Sequence, residues 1–280
     1  MNLTDPKYQY LCKKNIFMTK LSSFVIISLT FTYLFAPEAQ AQKSKREFYQ
    51  LKTYQLKDKD QEIHVDAFLT NAYLPAMHRV GIKNIGVFKP LETDSTYGKR
   101  IFILIPYNSL EQFSKISDVL FADKQFNLNG KEYLDAVYSN PPYVRIESVL
   151  LQAFTGMRKM EVPALIIGAR SERIYEMRSY EGHTEKIYRN KVEMFNKGGE
   201  VGLFKRLGFN AVFYAEVISG NHMPNLMYMT TFDNQASRDE HWKTFREDSQ
   251  WKQLSAMPEY QRNVSKNTQY FLRPTEYSDY

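Results

Sequence analysis

Short strand-like runs alternate with longer helix-like ones along this chain, and the same order occurs twice. Residues 48–56 read FYQLKTYQL and residues 174–182 read IYEMRSYEG, an offset of 126 positions. Both carry a tyrosine, a long apolar residue, a base, a small hydroxyl and a second tyrosine at one spacing. A segment of helical period follows each. In QEIHVDAFLTNAYLPAMHRVG the apolar set is Ile63, Phe68, Ala72 and Met77, and Pro75 is expected to bend the helix because it has no amide hydrogen. In HTEKIYRNKVEMFNKGGEVGLFKRLG the set is Ile187, Val192, Phe195, Leu203 and Leu207. Both segments end on glycine, Gly81 and Gly208, at the left-handed position just past a helix, with bases in the last turn.

Two strand candidates come next in each half, NIGVFKPL with KRIFILIPYN and NAVFYAEVI with NLMYMTTFDN, joined by the turn formers ETDSTYG and SGNHMP. Tyr107-Asn108-Ser109 and Phe232-Asp233-Asn234 each offer a side-chain cap for a second helix. Those helices carry Leu110, Phe113, Ile116 and Leu120 in the first half, and Trp242, Phe245, Trp251 and Leu254 in the second. IESVLLQAF and NTQYFLRP close the halves as strands. Each half is therefore expected to be an α+β, ferredoxin-like β-α-β-β-α-β unit, the first over 42–168 and the second over 169–280. A four-stranded sheet with both helices on one face leaves its other face bare, so two tandem units packed sheet to sheet would form a pseudo-dimer within one chain.

The first 41 residues stand apart from this pattern. Lys13, Lys14 and Lys20 precede the uncharged run Leu21–Ala36, and Ala39-Gln40-Ala41 supplies small residues at a signal peptidase site. We expect an export signal cleaved after Ala41, a periplasmic or secreted location, and no stable membrane span afterwards, since the run is shorter than the roughly 20 residues that cross a bilayer. Met18 offers an alternative start to Met1. The single cysteine, Cys12, lies upstream of the apolar run. Residues 42–280 thus hold no thiol, which excludes disulfides, cysteine nucleophiles, thiolate metal sites and iron–sulfur clusters. With the leader go Lys7, Lys13, Lys14, Lys20, Asp5 and Glu38, and the formal charge falls from +6 to +4. The remaining bases are mixed with acids, as in LKDKDQE and RDEHWKTFRED, not gathered on one stripe, so no nucleic-acid partner is expected. The 20 Tyr and 19 Phe suit strands and lined cavities.

At IYEMRSYEG, FKRLGF, YMTTFDNQASRDEHW, DSQW and FLRP the second half resembles the NIPSNAP family, whose repeats open on a Tyr-Glu-Leu-Arg-Thr-Tyr-like strand. Tyr175, Glu176, Met177, Arg178, Ser179 and Tyr180 fill that motif here, with Met and Ser as departures, and Gly208, Asp248 and Trp251 match further on. The likeness covers residues 173–274. The first half looks like a diverged copy in which Gln50 and Lys52 replace the Glu and Arg, and its NPPYVRIESVLLQAF tail looks like that of exported bacterial members. The resemblance implies the dimeric α+β barrel fold. It implies little chemistry, because that fold hosts cofactor-free oxygenases, isomerases, haem enzymes and plain binders.

Strand alternation divides the motif into Tyr175, Met177 and Ser179 on one face and Ile174, Glu176, Arg178 and Tyr180 on the other. The more apolar first set is expected against the helices, which leaves the second set to line the space between the sheets. A carboxylate and a guanidinium are costly there unless paired, so mutual pairing is their plainest role. Their functional role would have Arg178 orient an anionic or carbonyl-bearing ligand, with Glu176 as proton acceptor. Gln50 and Lys52 could not repeat it, so a site should favour the second half. Tyr180, Tyr228 and His222 complete the candidate lining, and Glu176 and His222 are the catalytic candidates, although a lone histidine in a turn is more often exposed. His183 is a candidate helix cap. The histidines at 64, 78, 183, 222 and 241 include no i, i+4 pair, so no metal is expected. No cofactor is expected either: there is no Gly-rich phosphate loop and no G-x-S-x-G, and although one histidine would suffice for haem, no feature asks for it.

The first functional expectation is a protein that binds a small, partly apolar ligand between its sheets. A cofactor-independent oxygenase or isomerase is the alternative, and a structural or protein-interaction module is the third. The sequence leaves homo-oligomerisation open.

Overall fold

The computed structural model describes residues 45–163 and 169–280. The expected export signal and its cleavage site lie outside those residues, as does the expected repeat boundary at 168. The described strands are β1 (Phe48–Gln55), β2 (Gly86–Pro90), β3 (Arg100–Tyr107), β4 (Arg145–Ala153), β5 (Ile174–Glu181), β6 (Asn210–Ser219), β7 (Asn225–Phe232) and β8 (Lys266–Pro274). They close into one barrel in the order β1-β3-β2-β8-β5-β7-β6-β4, antiparallel throughout. The order β4-β1-β3-β2 recurs as β8-β5-β7-β6, which is the α+β barrel expected of two ferredoxin-like units. Their sheets meet along their edges. Phe88 pairs with Pro274 at one seam, and Leu151 pairs with Val217 at the other. Closure satisfies the backbone groups that each open sheet would otherwise expose.

Helices cover the outside of the barrel. The first half carries α1 (Lys59–Phe68), a π-helical stretch Leu69–Tyr73, α2 (Leu74–Arg79), α3 (Leu110–Ala122), α4 (Lys124–Asn129) and α5 (Lys131–Leu134). The π stretch ends just before Pro75 and takes up the hydrogen-bond mismatch that the proline creates. The second half carries α6 (Glu185–Asn196), α7 (Glu200–Arg206), α8 (Gln235–Glu247) and α9 (Ser249–Ala256). Gly81 and Gly208 adopt φ of 81° and 76°. In both, the amide three residues past the last helical residue reaches back five residues, Ile82 to Met77 and Phe209 to Phe204, each at 3.0 Å. This is the same Schellman ending twice. Ser109 and Asn234 cap α3 and α8 as their positions predict, whereas Thr184, not His183, caps α6.

Apolar side chains fill both sides of the sheet. Tyr49, Leu51, Phe102, Met177, Phe213 and Met229 pack inside the barrel. Between sheet and helices lie one cluster around Val65, Leu69, Ile103 and Tyr107 in the first half and another around Phe195, Phe204, Tyr228 and Trp242 in the second. Ile63 and Leu110 depart from the apolar stripes expected of them, being 53% and 45% exposed. Val65 and Phe68 take the inward positions of α1, and Leu110 opens α3 just past its cap.

Candidate functional site

The two faces of β5 are the reverse of the expected ones. Tyr175 and Met177 point into the barrel with its apolar lining, while Glu176, Arg178, Tyr180 and Tyr228 lie beneath the second-half helices. The reason is electrostatic. A buried carboxylate needs several strong donors, and α8 supplies an indole and a guanidinium where the barrel cluster of apolar and tyrosine side chains has no cationic donor among the described residues.

Glu176 is fully buried and accepts from three side chains. Trp242 donates its indole N–H to Oε2 at 2.7 Å, and Arg238 donates Nε to Oε2 at 2.9 Å and Nη2 to Oε1 at 3.0 Å. Arg178 donates Nε to Oε1 at 2.6 Å, with Nη2 at 2.5 Å from the same oxygen. The pairing expected of Glu176 and Arg178 is present. With both oxygens saturated, Glu176 has no free lone pair aimed at a substrate proton, and the proton-acceptor role expected of it has no geometric support.

On the far side of Arg178 an open cleft of about 230 Å³ lies among the helices. Its lining includes Arg178, Tyr180, Lys191, Glu200, Tyr228 and Trp242, with Phe204, Phe245, Arg246 and Trp251 completing the wall. Arg178 lies over the Trp242 ring at 3.7 Å and donates Nη1 to the Tyr180 hydroxyl at 3.2 Å. Tyr180 and Tyr228 share a hydroxyl hydrogen bond of 2.8 Å. Arg178 thus donates two hydrogen bonds, Nε to Glu176 and Nη1 to Tyr180, out of the five N–H groups of a guanidinium. Lys191 and Glu200 pair at 2.8 Å, and Lys191 also lies over the Phe195 ring at 4.6 Å. Burial raises the Glu200 pKa above its ordinary value, with Lys191 opposing. Burial also pushes the Tyr228 hydroxyl well above the ordinary phenol range, so it serves as a neutral donor or acceptor.

Three of the four expected ligand-binding residues, Arg178, Tyr180 and Tyr228, therefore line one cleft, with Glu176 holding Arg178 from behind. His222 is elsewhere. It sits in the turn between β6 and β7 at φ 59°, with its side chain 56% exposed, and approaches Glu181 at 3.5 Å. The first-half counterparts are also apart from any cleft of this kind. Gln50 is bonded to Ser148 and Tyr107, and Lys52 lies over the Tyr73 ring. The space above Tyr54 is taken by Tyr133, bonded to it at 3.0 Å and stacked on Phe68 at 3.7 Å. A hollow of about 310 Å³ lies nearby, but its acids, Glu132 and Asp135, are exposed and no buried charge faces it. Among the described residues no group of three His, Cys, Asp or Glu is placed to hold a metal ion, and no helix is long and apolar enough to cross a membrane.

Sequence reasoning missed Arg238, Lys191 and Glu200. Arg238 and Trp242 are four apart on α8 and so share the face that Glu176 meets. Lys191 interrupts the buried stripe of Tyr188, Met194 and Phe195, and a base inside such a stripe is a readable signal. The acid-x-x-Trp pair has a local role: Asp248 caps α9 by accepting from the Gln250 and Trp251 amides and is held by Arg206, which fixes Trp251 at the cleft.

Residues 175–279 match the NIPSNAP family model. No curated protein matches the chain significantly. Among solved structures, a putative monooxygenase from Lactobacillus acidophilus aligns over 82% of this chain and 94% of its own, with TM-score 0.54 and 10% identity. A putative monooxygenase from Fusobacterium nucleatum aligns over 82% and 93%, with TM-score 0.54 and 11% identity. A NIPSNAP family protein from Agrobacterium tumefaciens aligns over 42% of this chain and 98% of its own, with 18% identity and TM-score 0.34. At 10% and 11% identity the likeness to the two monooxygenase structures shows the fold alone, an α+β barrel.

Proposed function

We propose that the chain is an exported NIPSNAP-like protein of two tandem repeats that binds a small, partly apolar ligand carrying an anionic or carbonyl group. The ligand sits in the second-half cleft and not between the sheets, where side chains already fill the barrel. One observation carries this reading: two guanidinium groups, Arg178 and Arg238, share the single buried carboxylate Glu176, and Arg178 faces an aromatic cleft. The other acid of this network, Asp239, meets Arg238 at the solvent edge. On the cleft side the lining carboxylate, Glu200, is paired with Lys191 at 2.8 Å, and a positive group among aromatic walls favours an anion or a carbonyl oxygen.

A cofactor-independent oxygenase or isomerase on this fold needs a proton acceptor at the cleft. Glu176 is saturated, His222 is outside, a neutral, buried Tyr228 is a weak base, and Glu200, the remaining acceptor in the lining, is engaged by Lys191 at 2.8 Å. These observations favour binding over catalysis. The test is a native mass spectrum of the mature chain recovered from the export compartment, beside its denatured mass. Excess mass that Arg178→Gln abolishes is the expected result. A bare chain running as a higher oligomer would instead support an interaction module.

A further inference from the structure

The cleft also contains an ion pair that anion binding at Arg178 does not use. Lys191 of α6 and Glu200, the first residue of α7, meet at 2.8 Å with side chains 7% and 3% exposed. Both line the same hollow as Arg178. An anion seated on Arg178 and the tyrosine hydroxyls would share that hollow with the Glu200 carboxylate. Like charges repel more strongly beside buried side chains such as these than at a fully exposed surface, because the local dielectric is lower. A proton on Glu200 removes the repulsion and frees the Lys191 ammonium to meet the ligand.

Around Glu200 stand Lys191 from α6, Arg178 from β5, Tyr214 from β6 and Tyr228 from β7. Arg246 of α8 and Trp251 of α9 complete the cleft. Burial holds both tyrosines well above the ordinary phenol range, and a guanidinium does not release its proton, so none of these three competes for the site. The hollow is smaller than the usual drug-sized pocket, and its walls are rings. On the reading of the cleft as an anion site, we propose that it takes a small aromatic anion together with one proton, and that Glu200 receives the proton.

Trp242 and Trp251 are the only two tryptophans in the chain, and both line the cleft, so intrinsic fluorescence reports on it directly. Naphthalene-1-sulfonate is a suitable probe because it stays anionic at every pH used. Titrated from about pH 5 to about pH 8, its affinity for the wild-type protein should fall as pH rises, approaching tenfold per unit for one linked proton. Glu200→Gln should bind with a flat profile. A flat wild-type profile, or an equal slope in Glu200→Gln, overturns the proton coupling and leaves the anion site standing. Absence of saturable quenching in both proteins overturns the anion site as well. Should Glu200→Gln strand Lys191 and unfold, the double variant Lys191→Met with Glu200→Gln takes its place. Wild-type calorimetry in two buffers of different ionisation heat then counts the protons directly: uptake near one supports the proposal, and none overturns it.

Discussion

Glu176 is the residue on which the cleft depends. It fixes Arg178 from beneath and ties β5 to α8 through Arg238 and Trp242. Replacing one member of a buried charged network leaves the others uncompensated, typically at about 3–5 kcal/mol. Glu176→Gln should therefore lower the denaturant midpoint by a loss in that range, and a loss below about 1 kcal/mol would contradict the network. Tyr228 is fully buried among Phe195, Phe204 and Tyr214 and also lines the cleft. Tyr228→Ala should cost about 3 kcal/mol of stability and weaken probe binding, and a stability loss without any binding loss would favour an interaction module. Glu200 has the opposite linkage from an ordinary salt-bridged acid. Its folded pKa is raised above its ordinary value of 4.5, so its stabilising contribution is full below that value and is lost as pH rises through the folded one. Subtracting the stability profile of Glu200→Gln from that of the wild type should give a difference that falls across this window. A rising difference would show that Lys191 outweighs burial.

At the scale of elements, much of the fold was legible and the orientation of β5 was not. The period-two pattern divides Tyr175, Met177 and Ser179 from Glu176, Arg178 and Tyr180, and the structure keeps that division. Hydrophobicity alone assigns the apolar set to the helices, whereas the closed barrel has an apolar interior of its own. What decides the matter is where a buried carboxylate finds donors, and those come from α8, far along the chain. Caps are local and were readable: Ser109, Asn234, Gly81 and Gly208 each act where their neighbours predict. Asn234 caps the helix that carries Arg238 and Trp242. Asn234→Ala should cost about 1 kcal/mol in unfolding experiments, and a cost near zero would mean that packing alone holds α8 in place. The short helices α4 and α5 were not legible, because segments of 6 and 4 residues show no period.

Across the whole molecule, two halves of the same strand order differ in what lies over the first strand. In the second half Arg178 and Tyr180 open into a cleft, while in the first half Tyr133 covers Tyr54 and Lys52 faces a tyrosine ring. The internal echo FYQLKTYQL and IYEMRSYEG announced the symmetry, and the substitutions Gln50 and Lys52 announced where it breaks. The most direct measurement of the one-sided cleft is a tryptophan-fluorescence titration of wild type, Arg178→Gln and Lys52→Gln with naphthalene-1-sulfonate at one pH. Loss of a charge-assisted bond of about 1.5–3 kcal/mol should weaken binding to Arg178→Gln by roughly tenfold or more, with Lys52→Gln matching wild type. Equal losses in the two variants, or none in Arg178→Gln, would contradict a single anion site built on β5.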